Sequence, residues 1–279
     1  MKAVRFGTCS WNYPSWVGLV YTKKQRYSAD YLEEYSKHYD TVEIDSWFYK
    51  LPETSEVISY LEKVPDDFTF TCKVPQAISL THNRDFKARY PQPNIHFLST
   101  EYFDRFIGQV EPMLPKLDAI MLEFEYLNRQ KMPSKEIFFD KLNDFLSKTD
   151  PNLPIGVETR NAEYLCEDYF KLLRQYNAIP VLCQKKYMPN VWEVYDRFHM
   201  HFGDRLVLRL MGGDRKEIEQ LTGEHWNEVV LPKEGKEDIA RFSINFTAQG
   251  NGRMIINVNN HFEGSAPLSI QALQRFMIR

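Results

Sequence analysis

The sequence lacks features that mark several common protein classes. It has no uncharged apolar stretch that approaches the ~18 residues of a membrane-spanning helix, so we expect no contact with the membrane interior. The N-terminal segment MKAVRFGTCSW has no apolar run of the secretory type. The four cysteines are scattered and form no Cys-x-x-Cys pair, which favours reduced thiols in a cytoplasmic protein.

The chain also lacks a strong excess of charge of either sign. Lys and Arg total 35 and Asp and Glu total 38, so the formal net charge is −3. This balance weighs against a protein that binds nucleic acid electrostatically, because such proteins usually carry a basic excess on one face. The hydrophobic residues, 43% of the chain, are sufficient for a large core. The question is whether the aromatic residues, which make up 14%, only pack or also bind a ligand.

Short apolar or β-branched segments alternate with longer segments of helical pattern. The predicted strands span residues 4–10, 41–45, 69–74, 119–124, 154–158, 179–183, 206–210 and 254–258. The predicted helices span residues 29–38, 53–63, 97–109, 134–148, 163–176, 190–201, 236–248 and 267–278. Eight such pairs indicate parallel βαβ units and predict an α/β fold, a single (β/α)₈ TIM-like barrel domain over residues 1–279. A doubly wound open sheet is the alternative, but no Gly-x-Gly-x-x-Gly or P-loop motif follows the first strand.

Charged or amide side chains stand at the end of nearly every predicted strand, where barrel enzymes place their chemistry. Because strand side chains alternate, Glu43 and Asp45 share a face, as do Glu158 and Arg160. If these pairs point inward, they meet Lys73 and Arg209. The predicted catalytic residues are Glu43, Lys73, His82 and Glu158. The predicted substrate-binding residues are Trp11, Tyr13, Asp45, Tyr49, Glu123, Arg160, Arg209, Asn259 and Asn260.

Each of these residues also has a plainer interpretation. The charged groups can form salt bridges at the barrel rim, the aromatic rings can simply pack, and Asn259 and Asn260 can cap the last helix. His82 is the best candidate for a group that titrates near neutral pH. We predict no cofactor and no dedicated metal site, because the chain has only seven His and no His-Glu-x-x-His motif. Mg²⁺ or Mn²⁺ held by oxygen ligands is the alternative, and its ligands would be Glu43, Asp45, Glu123 and Glu158.

Two loops suggest how a substrate is held. The run Met211-Gly212-Gly213 follows the seventh predicted strand, where barrel enzymes often bind phosphate through backbone N–H groups. A plain tight turn fits this run equally. Residues 83–89 contain three basic groups, and we expect a solvated, mobile lid that assists an anionic ligand.

Several motifs resemble those of the domain of unknown function 72, or YecE-like, family. The first two regions of similarity are GTCSWNYPSW, at residues 7–16, and VEIDSWFYKLP, at residues 42–52. Further similarity lies in FTFTCKVP at 68–75, TH at 81–82, VETR at 157–160, LRLMG at 208–212 and NNHFEGSAP at 259–267. The resemblance spans nearly the whole chain and implies a TIM-like barrel. It implies no reaction, because none is assigned to the family.

The chain departs from the family pattern at three places. Asp45 stands where the family more often has Asn, and Met211 stands where a His is common. The sequence LEFEY at residues 122–126 replaces a Phe-Gln-Leu-Pro-Pro stretch and adds two carboxylates. If the family His transfers a proton, Met211 cannot do so. Substrate choice is therefore expected to differ in this chain.

The strand-end residues favour an enzyme that acts on a small polar substrate. We expect this substrate to be anionic or sugar-like, and in one version of the hypothesis it carries a phosphate group. Carboxylates supply acid–base or hydrolytic chemistry, while Lys73, Arg160 and Arg209 bind charge. The alternative is a nucleic-acid-binding or processing protein that stacks bases on loop aromatics. A purely structural role is the third possibility, and the polar strand ends fit it poorly.

Overall fold

The eight predicted strands are all present and form one parallel barrel. A computed structural model describes residues 3–83, 92–248 and 252–278. The strands are β1 (Val4–Thr8), β2 (Thr41–Ile44), β3 (Thr69–Lys73), β4 (Leu117–Glu123), β5 (Ile155–Glu158), β6 (Ile179–Lys185), β7 (Arg205–Gly212) and β8 (Arg253–Val258). They pair in the order β1-β8-β7-β6-β5-β4-β3-β2. A parallel bridge between Cys9 and Glu43 joins the two outer strands and completes the ring. The predicted TIM-like barrel is therefore confirmed.

Helices cover the outside of the barrel. In the described ranges they are α1 (Ser28–Tyr35), α2 (Thr54–Leu61), α3 (Gln76–Ser79), α4 (Thr100–Val110), α5 (Lys135–Ser147), α6 (Glu167–Gln175), α7 (Val191–Phe198), α8 (Arg215–Thr222), α9 (Lys236–Ala248) and α10 (Ala266–Met277). None of them is long and apolar enough to cross a membrane. All eight predicted helices are present, with ends that differ by a few residues. Residues 84–89 of the predicted lid lie outside the described part of the chain.

Two helices, α3 and α8, were not predicted. Helix α8 is mostly polar and buries only Ile218, so it shows little hydrophobic periodicity. Local signals define its ends instead. The Asp214 carboxylate accepts hydrogen bonds from the backbone N–H groups of Lys216 and Glu217, and Gly223 ends the helix at a φ of +55°.

The interior of the barrel is filled in layers. The apolar middle layer consists of Ala119, Met121, Ile179, Val181, Val207 and Ile255. Along β7, Val207 belongs to this layer, whereas Leu206 and Leu208 pack in the larger core outside the barrel. This alternation follows the two-residue period of a strand. The next inward position after Val207 is Arg209, so the chain itself places a charge above the apolar layer.

A polar group closes the N-terminal end of the barrel. Thr69 donates to Asp118 at 2.6 Å, and Arg253 contacts the other oxygen of Asp118 at 2.7 Å. Arg5 donates to Thr69 and to the backbone carbonyl of Asp67 at 2.8 and 2.9 Å. Both Arg5 and Asp118 are buried. This end is packed and internally paired, so the open end of the barrel is the opposite one.

Candidate active site

Seven charged side chains meet at the C-terminal end of the barrel. They come from the ends of β2, β3, β4, β5 and β7, and we call them the mouth network: Glu43, Asp45, Lys73, Glu123, Glu158, Arg160 and Arg209. Their convergence follows from the closure of the barrel, which brings strands distant in the sequence to one rim.

Arg209 lies at the centre of the mouth network and is fully buried. Its Nε and Nη2 donate to the two carboxylate oxygens of Glu43 at 2.8 and 2.6 Å. Its Nη1 donates to Glu123 at 2.7 Å and to Glu158 at 2.5 Å. One guanidinium group therefore binds three carboxylates, which offsets the cost of burying its charge.

Lys73 and Arg160 connect the same carboxylates nearer to the surface. The Lys73 ammonium lies 2.7 Å from Asp45 and 3.0 Å from Glu123. Arg160 contacts Glu158 at 2.5 Å through Nε and Glu123 at 3.2 Å through Nη2. Glu123 thus touches all three cations of the mouth network.

The mouth network has a floor and a rim. The side chains of Glu43, Glu158 and Arg209 are 0% exposed and form the floor. The side chains on the rim retain partial exposure, from 11% to 25%: Asp45, Lys73, Glu123 and Arg160. Of the seven side chains of the mouth network, those of the rim are therefore the ones that solvent reaches.

Neutral groups complete the floor around Glu43. The Asn257 amide donates to Glu43 at 3.2 Å and to the Thr71 hydroxyl at 2.8 Å. The buried Cys9 thiol lies 3.9 Å from the sulfur of Met211. Met211, which replaces the common family His, therefore packs beside Cys9.

Two neighbouring cavities lie at the ends of β4 to β7, and the larger of them reaches the rim residues Glu123 and Arg160. The larger one, of about 550 Å³, we call the mouth cavity, and it is lined by Glu123, Glu125, Tyr126, Arg160, Lys185, Lys186, Tyr187 and Met188. The second cavity, of about 420 Å³, lies between the loops after β6 and β7 and includes Gly212, Gly213 and Lys233. The segment from Lys185 to Met188 forms the wall between them. Ligand space of this size at a barrel mouth is typical of a small-molecule site.

Residues 5–278 match the family model described as protein of unknown function DUF72. The chain belongs to the DUF72 family. A curated relative, the UPF0759 protein YecE of Escherichia coli K12, is 27% identical over 169 residues, which are 59% of this chain and 51% of the relative. The chain spans about half the length of the curated relatives it matches.

Solved DUF72 structures share the fold of this DUF72 protein. A family member from Thermotoga maritima MSB8 superposes with a TM-score of 0.67 at 18% identity, and the match covers 100% of both chains. One from Enterococcus faecalis V583 gives 0.68 at 17% identity and covers 99% of this chain and 96% of the other. The family resemblance inferred from the motifs is thus confirmed. These structures support the fold and leave the reaction open.

The charges of the mouth network shift the pKa values of its carboxylates in opposite directions. Burial raises the pKa of Asp45, but Lys73 and Arg209 outweigh burial and hold it below its usual range. The same balance holds the pKa of Glu123 well below normal, with Lys73 as the largest opposing charge. Both rim carboxylates are therefore ionised at neutral pH.

Glu43 behaves differently, because its complete burial raises its pKa to about 7 despite the opposing charge of Arg209. The composition of the mouth network agrees with this direction. It contains four carboxylates and three permanent cations, so one negative charge has no counterpart within it. Uptake of a proton on the floor removes that excess.

Lys185, a cation that lines the mouth cavity beside the rim, differs from Lys73 and Arg160. It makes no ion pair or side-chain hydrogen bond with any residue in the described ranges. Desolvation of its ammonium group and the neighbouring charge of Arg160 lower its pKa. By contrast, the carboxylates around Lys73 raise the pKa of that group. An unpaired cation beside a second cation is a favourable place for an anion.

The predicted aromatic residues lie in different surroundings. Trp11 is buried, donates to the Ser28 carbonyl at 2.8 Å and packs edge-on against Tyr60. Tyr13 is half-buried, and its hydroxyl donates to the backbone carbonyl of Cys9 at 3.2 Å, close to the mouth network. Tyr49 is 67% exposed and contacts Phe48. The structure therefore does not bring these rings together as one wall over the mouth.

The remaining predicted residues make no ion pair or side-chain hydrogen bond with the mouth network in the described part of the chain. His82 is half-exposed, and a ring nitrogen lies 3.0 Å from the Thr81 hydroxyl. The Asn259 side chain accepts a hydrogen bond from the backbone N–H of His261 at 2.9 Å. The Asn260 side chain accepts one from the N–H of Ala266 at 2.9 Å, at the start of α10. Only the Asn260 contact lies at the last helix, as the plainer interpretation expects, whereas Asn259 caps the short 3₁₀ helix Asn260–Phe262.

The carboxylates of the mouth network already face cations. In residues 3–83, 92–248 and 252–278, no group of three or more His, Cys, Asp and Glu side chains is arranged to hold a metal ion. Both oxygens of Glu43 are bound to Arg209, and Glu123 is shared among three cations. A divalent ion would have to displace these partners.

Sequence reasoning missed three residues of the mouth. Lys185, Cys9 and Asn257 each stand at or next to a strand end, so the rule that identified Glu43 also applies to them. Lys185 was passed over because no spacing in the sequence shows that it lacks a carboxylate partner. Asn257 was passed over in favour of Asn259 and Asn260 in the same run, and Cys9 was interpreted as a reduced thiol.

Proposed function

We propose that this DUF72 protein is an enzyme that binds a small anionic substrate in the mouth cavity and performs acid–base or hydrolytic chemistry on it. The observation that carries the proposal is the mouth network itself, a buried charged floor under a partly exposed rim, with the unpaired Lys185 beside it. Clustered ionisable groups with shifted pKa values in a cleft are typical of active sites.

The preference for an anion follows from the charges that line the mouth cavity. Three cations line it, namely Arg160, Lys185 and Lys186. The two carboxylates of the wall are engaged, because Glu125 pairs with Lys131 at 2.7 Å and Glu123 pairs within the mouth network. Arg160 is paired as well, with Glu123 and Glu158, so the uncompensated positive charge of the wall comes from Lys185 and Lys186.

The rim residues suit electrostatic catalysis. Lys73 and Arg160 stay protonated, because neighbouring carboxylates raise their pKa values against the effect of burial. Fixed by ion pairs, they need little rearrangement to stabilise negative charge that develops on a substrate. In this proposal Glu123 orients both cations, and the floor residues Glu43 and Glu158 hold Arg209 in place.

The proposed chemistry needs no metal ion, since Lys73 and Arg160 can themselves stabilise negative charge that develops on a substrate. We expect ligand binding to be the same after treatment with EDTA and after addition of Mg²⁺ or Mn²⁺. Binding that requires a divalent ion would contradict this part of the proposal.

Calorimetric titration with a panel of small anions tests the proposal. The panel contains phosphate, sulfate, malonate and sugar phosphates, with the parent neutral sugars as controls. Lys185→Gln should weaken binding of the best anion by roughly tenfold or more, or about 1.4 kcal/mol. Lys148→Gln removes the same charge from the exposed pair with Asp144 and should leave binding unchanged.

Two outcomes would overturn the proposal. One is equal binding by wild type and Lys185→Gln. The other is equal affinity for the sugar phosphates and their parent sugars, because the positive wall would then contribute nothing.

A further inference from the structure

We infer that Lys185 is a nucleophilic amine that forms an imine with the carbonyl carbon of an anionic aldehyde or ketone bound in the mouth cavity. This inference rests on the proposed function and names the substrate class, an anion that carries a reactive carbonyl.

The backbone presents Lys185 at the junction of the two cavities. Strands β6 and β7 run in register from Val181 to Gln184, but the register shifts before Lys185, which pairs with Gly212. Such a shift changes the direction of a side chain near a strand end. The preceding Gln184 is anchored on the start of α7, since its side chain bonds to Asn190 and to the N–H of Val191. Lys185 therefore leaves a fixed backbone and lines both cavities.

The electrostatic surroundings of Lys185 differ from those of Lys73, because the charge of Arg160 acts on Lys185 more strongly than the charge of Glu123 or Glu158 does. Two carboxylates lie within 3.0 Å of the Lys73 ammonium and stabilise its charge. Lys185 has no such partner in the described ranges, and Arg160 repels its charge. The lowered pKa increases the share of neutral amine, which is the form that attacks a carbonyl.

The cavity wall suits a carbonyl compound with an acidic group. Tyr126, Tyr187 and Met188 supply an apolar surface beside the amine. Arg160 uses Nε and Nη2 for Glu158 and Glu123, which leaves Nη1 without a protein partner in the described part of the chain. An anionic group bound there would lie beside Lys185.

The proposed step is balanced without any oxidant or reductant. The Lys185 nitrogen lone pair attacks the carbonyl carbon, a C–N bond forms, and the carbonyl oxygen takes a proton to become a hydroxyl group. The hydroxyl leaves as water, and the two amine protons leave with it or through solvent. The product is an imine, whose protonated form withdraws electrons from the neighbouring carbon atoms and prepares them for proton loss or bond cleavage.

Reductive trapping tests this inference on the full chain. Wild-type protein is incubated near pH 7 with glyoxylate and sodium cyanoborohydride, and the modified lysines are located by peptide mass spectrometry. Lys185 should gain one carboxymethyl group at least about tenfold faster than Lys186, because an aldehyde whose anionic group is bound at Arg160 is held beside its amine. Lys186 is the internal control, because it is the next residue on the same loop and is exposed like Lys185, but its ammonium lies over the Tyr187 ring. Propionaldehyde, which has no anionic group, should label Lys185 much more slowly than glyoxylate.

Two variants make the result decisive. Lys185→Arg keeps the positive charge but forms no imine, so the fast adduct should disappear while malonate still binds. Lys148→Arg, at an exposed lysine that pairs with Asp144 outside the cavity, should keep the fast adduct. Equal labelling of Lys185 and Lys186, or a fast adduct that survives Lys185→Arg, overturns the inference.

If wild type binds malonate but forms no fast adduct, the imine is wrong and the anion site stands. If malonate and the other anions do not bind at all, the proposed function itself fails.

Discussion

Arg209 and Glu43 form a two-point ion pair across the barrel, with N···O distances of 2.8 and 2.6 Å, although 166 positions separate them in the sequence. They stand on β7 and β2, which are not neighbours in the sheet. The pair therefore connects opposite walls through the lumen. Both side chains are fully buried, so the pair also sets the electrostatics of the floor.

Replacement of Arg209 should destabilise the protein strongly. Arg209→Met leaves three carboxylates without their shared cation, and we expect a loss of about 3–5 kcal/mol in the free energy of unfolding. Urea denaturation followed by circular dichroism measures it. The control Arg215→Met removes an exposed pair with Glu219 and should cost less than about 1 kcal/mol. Similar losses in the two variants would contradict the assigned importance of the buried pair.

Glu43 should titrate near pH 7, well above the usual range of a carboxyl group. Because the folded-state pKa is raised, its contribution to stability is complete below the unfolded-state pKa of about 4.5 and is lost as the pH rises towards 7. Carbon-13 NMR of the glutamate side chains measures the titration directly. The signal that titrates near 7 should vanish in Glu43→Gln and persist in Glu125→Gln. A Glu43 signal that titrates near 4.5 would show that Arg209 outweighs burial.

The closed end of the barrel should be structural and independent of ligand binding. Asp118→Ala removes the acceptor that Thr69 and Arg253 share, and we expect a loss of about 3 kcal/mol in stability. Ligand affinity at the mouth, measured below the unfolding temperature, should stay within about twofold of wild type. A large loss of affinity in this variant would mean that the two ends are coupled.

Gly212 is required by the backbone at the end of β7. Its φ is +77°, and a Cβ added there would lie 2.2 Å from the carbonyl oxygen of His261. Gly212→Ala should therefore cost about 1–3 kcal/mol and disturb the strand pairing that positions Lys185. At Gly213 the nearest atom to an added Cβ is the Lys233 ammonium at 3.7 Å, so Gly213→Ala is the matched control. Equal thermal stability of the two variants would contradict this account.

The fold was predictable because its signals are local and repeated. Each strand is a short apolar run, and the alternation of strands with helices leaves few topologies. Helix α8 was missed because it buries only Ile218 and therefore has no apolar stripe. The local signals in the sequence that could have predicted this helix are Asp214, which caps its start, and Gly223, which ends it.

The candidate site was predictable only as a set of inward positions. Alternation along a strand shows that Glu43 and Arg209 can both face the lumen, but it gives no distance between them. Their pairing depends on how the barrel closes, which is a property of all eight strands together. The difference between Lys73 and Lys185 has the same origin. Both stand at strand ends, and only the tertiary structure shows that one is paired and the other is not.

Anion binding beside Lys185 is the central claim of this account, and anomalous diffraction tests it most directly. Crystals of the wild-type protein and of Lys185→Gln are soaked in selenate, and the selenium atoms are located from their anomalous signal. We predict a selenium peak in the mouth cavity of the wild type, in contact with Arg160 and Lys185, that is lost in Lys185→Gln. An empty mouth cavity at saturating selenate, or an equal peak in both crystals, would contradict the account.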